Sequence, residues 1–453
     1  MSIRVCSRAS RLLCASSGLL PLLASTFACL CANVVGADLF SGSAGYQTSY
    51  SDNLTKETRG ESDWLHAPYV QLNATHQSNS YGLAADYHVE RRVYVNETYS
   101  DDTIVSGRGT ARVSLVPDAI DWTINHSRTE TAVNSRAAVT PVNSQVVNVF
   151  STGPSLSFQL DGRTSTQLSV FFQDVSADRT SNDSKRWSGD FAIRRSLDAR
   201  SLVGVAARYS DTNFDAVFGQ DYRVRDMRLT YSRDQGARTH LDLELGAASV
   251  ETDDRIGLLP DGSQVVISRG DTSLDWSGSL SIAREISSAV SASIQAVRQT
   301  SDEGARLGAG AAQFGTDIGG GTNARQSYLE ETVRVSVSRD GPRLQTGVTL
   351  TYGRQTFDEL RESEQRRGVA VNARYQIGRR LAASAYATLD GIKFQDLQGE
   401  DVRRGARVQL LWDPFKSLSI SASIGWEDRQ GAGQGRFVDY EESGGSFGIN
   451  YRF

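Results

Sequence analysis

From about residue 40 to its last residue the chain alternates apolar and polar side chains with a period of two. In LSISASIGWE (418–427), Leu418, Ile420, Ala422, Ile424 and Trp426 fall on one side. Ser419, Ser421, Ser423, Gly425 and Glu427 fall on the other. LDLELGA (241–247), RVSVS (334–338), GVAVNARYQI (368–377), IDWTIN (120–125) and SLDWSGSLSI (273–282) repeat the pattern. The chain ends on SFGINYRF (446–453), with Phe447, Ile449, Tyr451 and Phe453 on the apolar side. This period places alternate side chains on opposite faces of a strand. A helix needs apolar residues three and four apart, and no stretch after residue 37 holds that spacing for long. The chain reads as all-β.

The strands are punctuated in two ways. Tight links carry turn residues: 116–120, 161–165, 197–200, 233–238, 339–343, 378–380 and 413–417. Pro and Gly sit in links of this kind and stay out of strands. Between successive tight links lies a longer polar connection, such as 51–62, 128–145 or 301–326. Another, 251–271, has room for a small hairpin of its own. The spacing predicts about 20 strands (range about 18–22) of roughly 9–15 residues in one meander.

A soluble sandwich or propeller would gather its apolar residues into a core between short strands. Here hydrophobic residues are 39% of the chain and charged residues 22%, and each strand has one apolar and one polar face. Such a sheet fits a barrel closed in a bilayer, with its apolar face against lipid and its polar face inside. Closure also removes the edges that lipid would leave without partners. Short turns on one side and long loops on the other match an outer-membrane barrel, with turns periplasmic and loops extracellular. The expectation is a single transmembrane antiparallel up-and-down barrel. An even strand count would leave both of its ends on the periplasmic side.

Arg4, Arg8 and Arg11 precede an uncharged run from Leu12 to Ala37. A basic segment, an apolar run and small residues at its end read as a secretory signal over 1–37, leaving 38–453 as the barrel. Cleavage after Ala32 and a retained anchor are the alternatives. A lipobox is not evident before Cys29 or Cys31. All four cysteines (Cys6, Cys14, Cys29, Cys31) fall in this leader, so the remainder holds no disulfide and no thiolate site. Removing three arginines from a chain of formal charge -5 leaves -8, which offers no basic face for nucleic acid.

The terminal alternation ending in Tyr451-Arg452-Phe453 resembles the C-terminal signal of bacterial outer-membrane proteins. Phe447, Ile449, Tyr451 and Phe453 match it residue by residue. The resemblance implies recognition by the barrel-assembly machinery and insertion among outer-membrane lipids. More narrowly, GYQTSYSDNLTKE (45–57), DYHVERRVYVNETYSDD (86–102), INHSRTET (124–131) and DVSADRTSNDSKRWSG (174–189) resemble the β-barrel porins found with exopolysaccharide and PEP-CTERM/exosortase loci. That resemblance implies a Gram-negative outer membrane and a role in polysaccharide export or surface display. Polysaccharide or export-system components would be the partners. It supplies no catalytic residues.

Local chemistry is sparse. His66, His76, His88, His126 and His240 show no metal-ligand spacing, and isolated rim or lumen positions are expected for them. Serines are too abundant for any one to stand out as a nucleophile, so neither an enzyme nor a cofactor is expected. Asp101-Asp102 and Asp253-Asp254 read as solvated loop charge, with weak calcium binding as the alternative. Arg-Gly-Asp at 269–271 is expected by chance in a loop of this composition.

The stronger signal is distributed. Arg112, Asp121, Asp190, Arg194, Arg208, Arg228, Asp242, Glu244, Asp275, Arg334 and Arg374 all fall on the polar phase. An Arg facing lipid at mid-depth costs about 2–4 kcal/mol, so this phase points to a wet lumen. A lumen so lined is either a polar conduit or a space filled by pairs that cross-brace the wall. The Gly-rich connection 301–326 is a candidate plug or an exposed loop. Tyr69, Tyr87, Trp122, Tyr209, Tyr231, Trp276, Tyr352, Trp412, Trp426 and Tyr440 are candidates for interfacial girdles. The functional expectation is a porin-like channel for a polar solute. The alternative is a closed scaffold barrel whose loops bind a partner.

Overall fold

The computed structural model describes residues 40–134, 137–180, 183–215, 220–258, 264–268, 270–301, 327–357, 363–394, 399–432 and 439–453. The expected leader lies outside these residues, as does the connection 302–326. The strands are β1 (Phe40–Ser51), β2 (Asp63–Gln77), β3 (Tyr81–Tyr94), β4 (Asp102–Val116), β5 (Ile120–Ala132), β6 (Ser144–Asp161) and β7 (Thr164–Ala177). Then come β8 (Ser184–Asp198), β9 (Ser201–Phe214), β10 (Tyr222–Gln235), β11 (Thr239–Thr252), β12 (Arg255–Leu258), β13 (Gln264–Ser268), β14 (Thr272–Ser287) and β15 (Val290–Ser301). The last are β16 (Tyr328–Asp340), β17 (Leu344–Phe357), β18 (Glu364–Gly378), β19 (Leu381–Phe394), β20 (Gly399–Phe415), β21 (Leu418–Ala432) and β22 (Tyr440–Arg452).

Twenty of these form one closed antiparallel barrel, each strand paired with its neighbours in sequence. β12 and β13 pair only with each other, as a hairpin within the 251–271 connection. The ring is sealed by β1 against β22, in a register running from Ser43↔Arg452 to Ser51↔Gly444. The seal extends to the last residue. Gly42 N donates to the Phe453 carbonyl (3.1 Å), and Phe453 N donates to the Gly42 carbonyl (2.9 Å). The Phe453 ring lies over Gly42, so a Cβ there would stand 2.6 Å from the ring and displace it.

Period two decides the faces. Leu72, Val113, Leu229, Val348, Ile424 and Phe447 point outward and are exposed, as an apolar belt in lipid requires. Barrel strands run 12–18 residues, within the expected length except for β6, β14 and β20. They continue outward past the belt, where the outward positions turn charged: Lys185, Asp211, Arg225, Glu251, Arg354 and Asp428. Aromatics mark that boundary, with Tyr50 beside Trp64 and Phe172 beside Trp187, both at 5.1 Å. Two girdle candidates are corrected. Tyr69 pairs in register with inward Glu90, and Tyr440 is buried inside against Glu427. Both lie on the phase opposite to the belt of their own strands. Two further tight turns, 78–80 and 288–289, join β2 to β3 and β14 to β15.

The ladder opens at two places on the extracellular side, each built the same way. β4 and β5 stay paired up to Gly107↔Arg128, then separate. Arg128 Nε donates to the Val105 carbonyl across the gap (2.8 Å), and Nη1 donates to Asn148 (2.9 Å). β14 and β15 stay paired up to Gly278↔Arg298. Arg298 Nε donates to the Trp276 carbonyl (3.1 Å), Nη2 to Asp275 (3.0 Å) and Nη1 to Glu331. Its guanidinium lies over the Trp276 ring at 4.6 Å. In each seam a guanidinium replaces the next rung of the ladder. A hydrogen bond to a charged group contributes about 1.5–3 kcal/mol. Arg298→Met is therefore expected to lower amide-exchange protection at the outer ends of β14 and β15 by about tenfold, leaving the lower ladder unchanged. Unchanged protection at those amides would show that the guanidinium does not hold the seam.

Candidate functional site

All eleven charged residues singled out on the polar phase stand on the inner wall. Arg112 donates to Asp121 at 2.5 Å, and Arg208 Nε donates to Asp190 at 2.6 Å. Arg228 Nε donates to Asp226 (2.8 Å) and its Nη1 to Glu244 (3.1 Å). Asp226 also accepts from buried Ser277 (2.9 Å). Asp242 lies 2.8 Å from His240 Nε2, and Asp275 accepts from Arg298. Arg194, Arg334 and Arg374 stand in rows of hydroxyl, amide and glycine neighbours: Ser165 and Gly204, Gln295 and Thr351, Gln345 and Ser384. The paired groups brace the wall; Asp226 is buried in doing so and Arg228 largely so, whereas water reaches the guanidinium groups of Arg112 and Arg208. The Arg112 and Arg208 side chains are 61% and 55% exposed.

The inner wall changes along the axis. At the extracellular ends its side chains are buried all the way round. Examples are Asp63, Tyr94, Val147, Val175, Thr212, Tyr222, Val250, Phe394, Asp401 and Arg429. Toward the periplasm they are exposed, as at Thr75, Thr110, Arg112, Gln167, Arg194, Asn372, Arg374, Arg407 and Gln409. Two connections turn inward over the packed end. Residues 52–62 bring Lys56 Nζ to Glu427 (3.0 Å) and Glu442 (3.3 Å), above the Tyr440 ring. Asn53 fastens the same loop by donating to the Glu441 carbonyl (2.9 Å). Residues 95–101 place Tyr99 edge-on to Tyr94 at 5.5 Å, and burial raises the Tyr99 phenol above its ordinary pKa. Burial likewise pushes the Asp221 carboxyl up, against the amide of Phe214 that donates to it.

Sequence reasoning placed Glu427 on the polar face but missed its network with Lys56, Glu90, Arg92, Glu130, Asp401, Arg403, Arg429 and Glu442. Strand parity carried to the extreme ends would have found Arg92, Asp401 and Arg429. Lys56 sits in a loop, where period two says nothing.

Three of the five histidines depart from the rim-or-lumen expectation. His66 and His126 face outward, each Nδ1 sharing a hydrogen bond with a tyrosine hydroxyl across the strand, Tyr46 (2.7 Å) and Tyr87 (2.6 Å). His76 also faces outward, stacked on Tyr81. At His66 and His126, phenol and imidazole satisfy one another on a face that lipid would leave dry. His88 faces inward opposite Ser106, yet engages Glu90 (3.4 Å), and no hydrogen bond joins it to that hydroxyl. Among the described residues no group of three His, Asp or Glu is placed to hold a metal ion.

No protein-family model and no curated protein matches the chain. Solved structures do match. The FrpB iron transporter from Neisseria meningitidis (F5-1 variant, apoprotein form) aligns over 92% of this chain and 82% of its own, with TM-score 0.51 and 9% identity. The ferric-catecholate import receptor Fiu from E. coli K12 aligns over 90% and 81%, with TM-score 0.50 and 7% identity. At such identities the likeness is one of fold, and the fold is that of Gram-negative outer-membrane barrels. The chain folds as a closed β-barrel of the outer-membrane type.

Proposed function

We propose that this barrel is a porin-like channel that passes a polar solute, and that the solute is a saccharide chain moving outward. The observation that carries the channel reading is the exposed polar inner wall over its periplasmic part, where Arg112, Arg194, Arg374 and Arg407 stand among Thr, Asn and Gln. Such a wall exchanges hydrogen bonds with hydroxylated or anionic solutes as they move along it. Sixteen- to eighteen-stranded barrels of this kind leave an aqueous channel, so twenty strands leave ample width. Export of exopolysaccharide rests on the resemblance of segments 45–57, 86–102, 124–131 and 174–189 to barrels found at such loci. Purified protein in liposomes is expected to raise permeability to small sugars and ions. Sealed vesicles holding well-folded protein would count against the channel.

A second reading, a closed scaffold barrel, is favoured by one feature: the packed outer end latched by Lys56. The two readings make opposite predictions for that latch. Its charge-assisted bonds contribute about 1.5–3 kcal/mol. Lys56→Met is therefore expected to shift a latched loop toward its open position by about tenfold. In planar bilayers a channel would show longer or larger open events. A scaffold would stay silent with either residue.

A further inference from the structure

Within the barrel strands and away from their turns, exposed large apolar or aromatic side chains face outward, with one exception among the described residues. Tyr386 faces inward and is 49% exposed. It stands in the lower half of β19, in a row across the inner wall: Gly347, Asn372, Tyr386, Arg407, Gly425. The row is shaped around the ring. Asn372 leans away from it over Gly347, its Oδ1 2.5 Å from where a Cβ of residue 347 would stand. Arg407 leans the other way over Gly425, its Nε 3.5 Å from the corresponding point. Larger residues at 347 and 425 would push both side chains back against the phenol. The next row toward the periplasm adds exposed Arg374 and Gln409 on either side of Ser384. The carboxylates at the edge of this patch, Asp390 and Glu427, are each held by a cation, Arg366 (3.4 Å) and Lys56 (3.0 Å).

We propose that Tyr386 and the polar groups around it form a saccharide subsite, selective for a pyranose that bears a carboxylate. The proposal deepens the channel reading and rests on it for the solute's path. A pyranose has one face of C–H groups and a rim of hydroxyls. The C–H face packs on an exposed aromatic ring, whose apolar surface otherwise meets water. Asn372 and Gln409 donate to and accept from the hydroxyl rim. Arg374 and Arg407 are two exposed guanidinium groups on this patch; the carboxylates above it, Asp390 and Glu427, are engaged by Arg366 and Lys56, and Asp340 stands in the row of Arg374 beyond Gln345. The two guanidinium groups suit a sugar carboxylate, which a guanidinium binds through paired hydrogen bonds. A ring lying in the wall, open on both sides, holds one sugar unit without stopping a chain from sliding past.

The test is calorimetric titration of the full-length barrel in detergent micelles with an oligogalacturonate and with a maltooligosaccharide of equal length. The wild type is expected to bind the acidic oligomer more tightly. Tyr386→Ala should weaken binding of both sugars by about tenfold. Tyr386→Phe keeps the ring and should stay near wild type. Arg407→Gln should weaken only the acidic sugar. Equal binding by the wild type and Tyr386→Ala, or no binding of either sugar by the wild type, overturns the subsite. Equal affinity of the wild type for the two oligomers overturns the selectivity for a carboxylate. Planar-bilayer conductance keeps the two readings apart. A barrel that binds sugar but never conducts removes the channel and leaves the subsite. One that conducts without binding removes the subsite alone.

Discussion

Replacing Asp401 with alanine is expected to cost the barrel about 3–5 kcal/mol, the usual result of removing one partner from a buried ion pair. Asp401 has no exposed surface, and Arg429 beside it is 1% exposed. Asp401 accepts from Arg429 Nε (3.0 Å) on β21 and from Arg403 Nε (3.0 Å) on its own strand. Without this carboxylate two guanidinium groups face each other across the ladder at the packed outer end. Desolvating cations is costly, and the two guanidinium groups would lose the carboxylate that joins them. The loss should appear as a lower urea midpoint in the tryptophan fluorescence of the folded barrel. Asp401→Asn keeps the shape and one acceptor, so it should fall between alanine and wild type. A midpoint unmoved by alanine would mean that the pair is solvated in the protein, contrary to its burial.

Phe453→Ala is expected to reduce outer-membrane yield by about tenfold while leaving any transport step in the assembled protein untouched. Two properties of this residue can be separated. Its main chain closes the ring through the two hydrogen bonds with Gly42, which alanine preserves. Its side chain points outward and is 66% exposed, so its removal takes little packing from the folded barrel. A loss of yield in Phe453→Ala therefore reports recognition of the aromatic end during assembly, as the resemblance of residues 447–453 implies. Gly42→Val attacks the same corner from the other strand, where its side chain would collide with the ring. Normal surface levels of Phe453→Ala would remove the assembly role and leave the terminal residue as a hydrogen-bonded end.

Strand type and count, and the face of most strand residues, are legible in the sequence, because in a barrel each strand repeats one rule. Lipid outside and water inside force apolar and polar residues onto opposite phases, and a twenty-strand meander states that rule about twenty times. Arg112, Asp190, Arg228 and Arg334 could be placed on the inner wall from parity alone. The same parity would have flagged Tyr386, whose neighbours Ser384 and Thr388 mark it as a residue on the wet phase. It passed unnoticed because an aromatic residue in a strand is ordinary until its height and exposure are known.

The sequence by itself determined the class of fold, the apolar and polar faces along the middle of the strands and the end at which the turns are short. These follow from local alternation and from turn chemistry, which act over a few residues. Tertiary structure alone decided what happens where the pattern stops. It set the packed outer end, the inward turn of residues 52–62 that brings Lys56 to Glu427 and Glu442, and the seams bridged by Arg128 and Arg298. It also decided which inner charges meet, as in the Asp401–Arg429 pair joining strands at the packed end. Those contacts depend on register between strands and on where loops land. Side chains hundreds of residues apart, such as Lys56 and Glu427, become neighbours only when the ring closes.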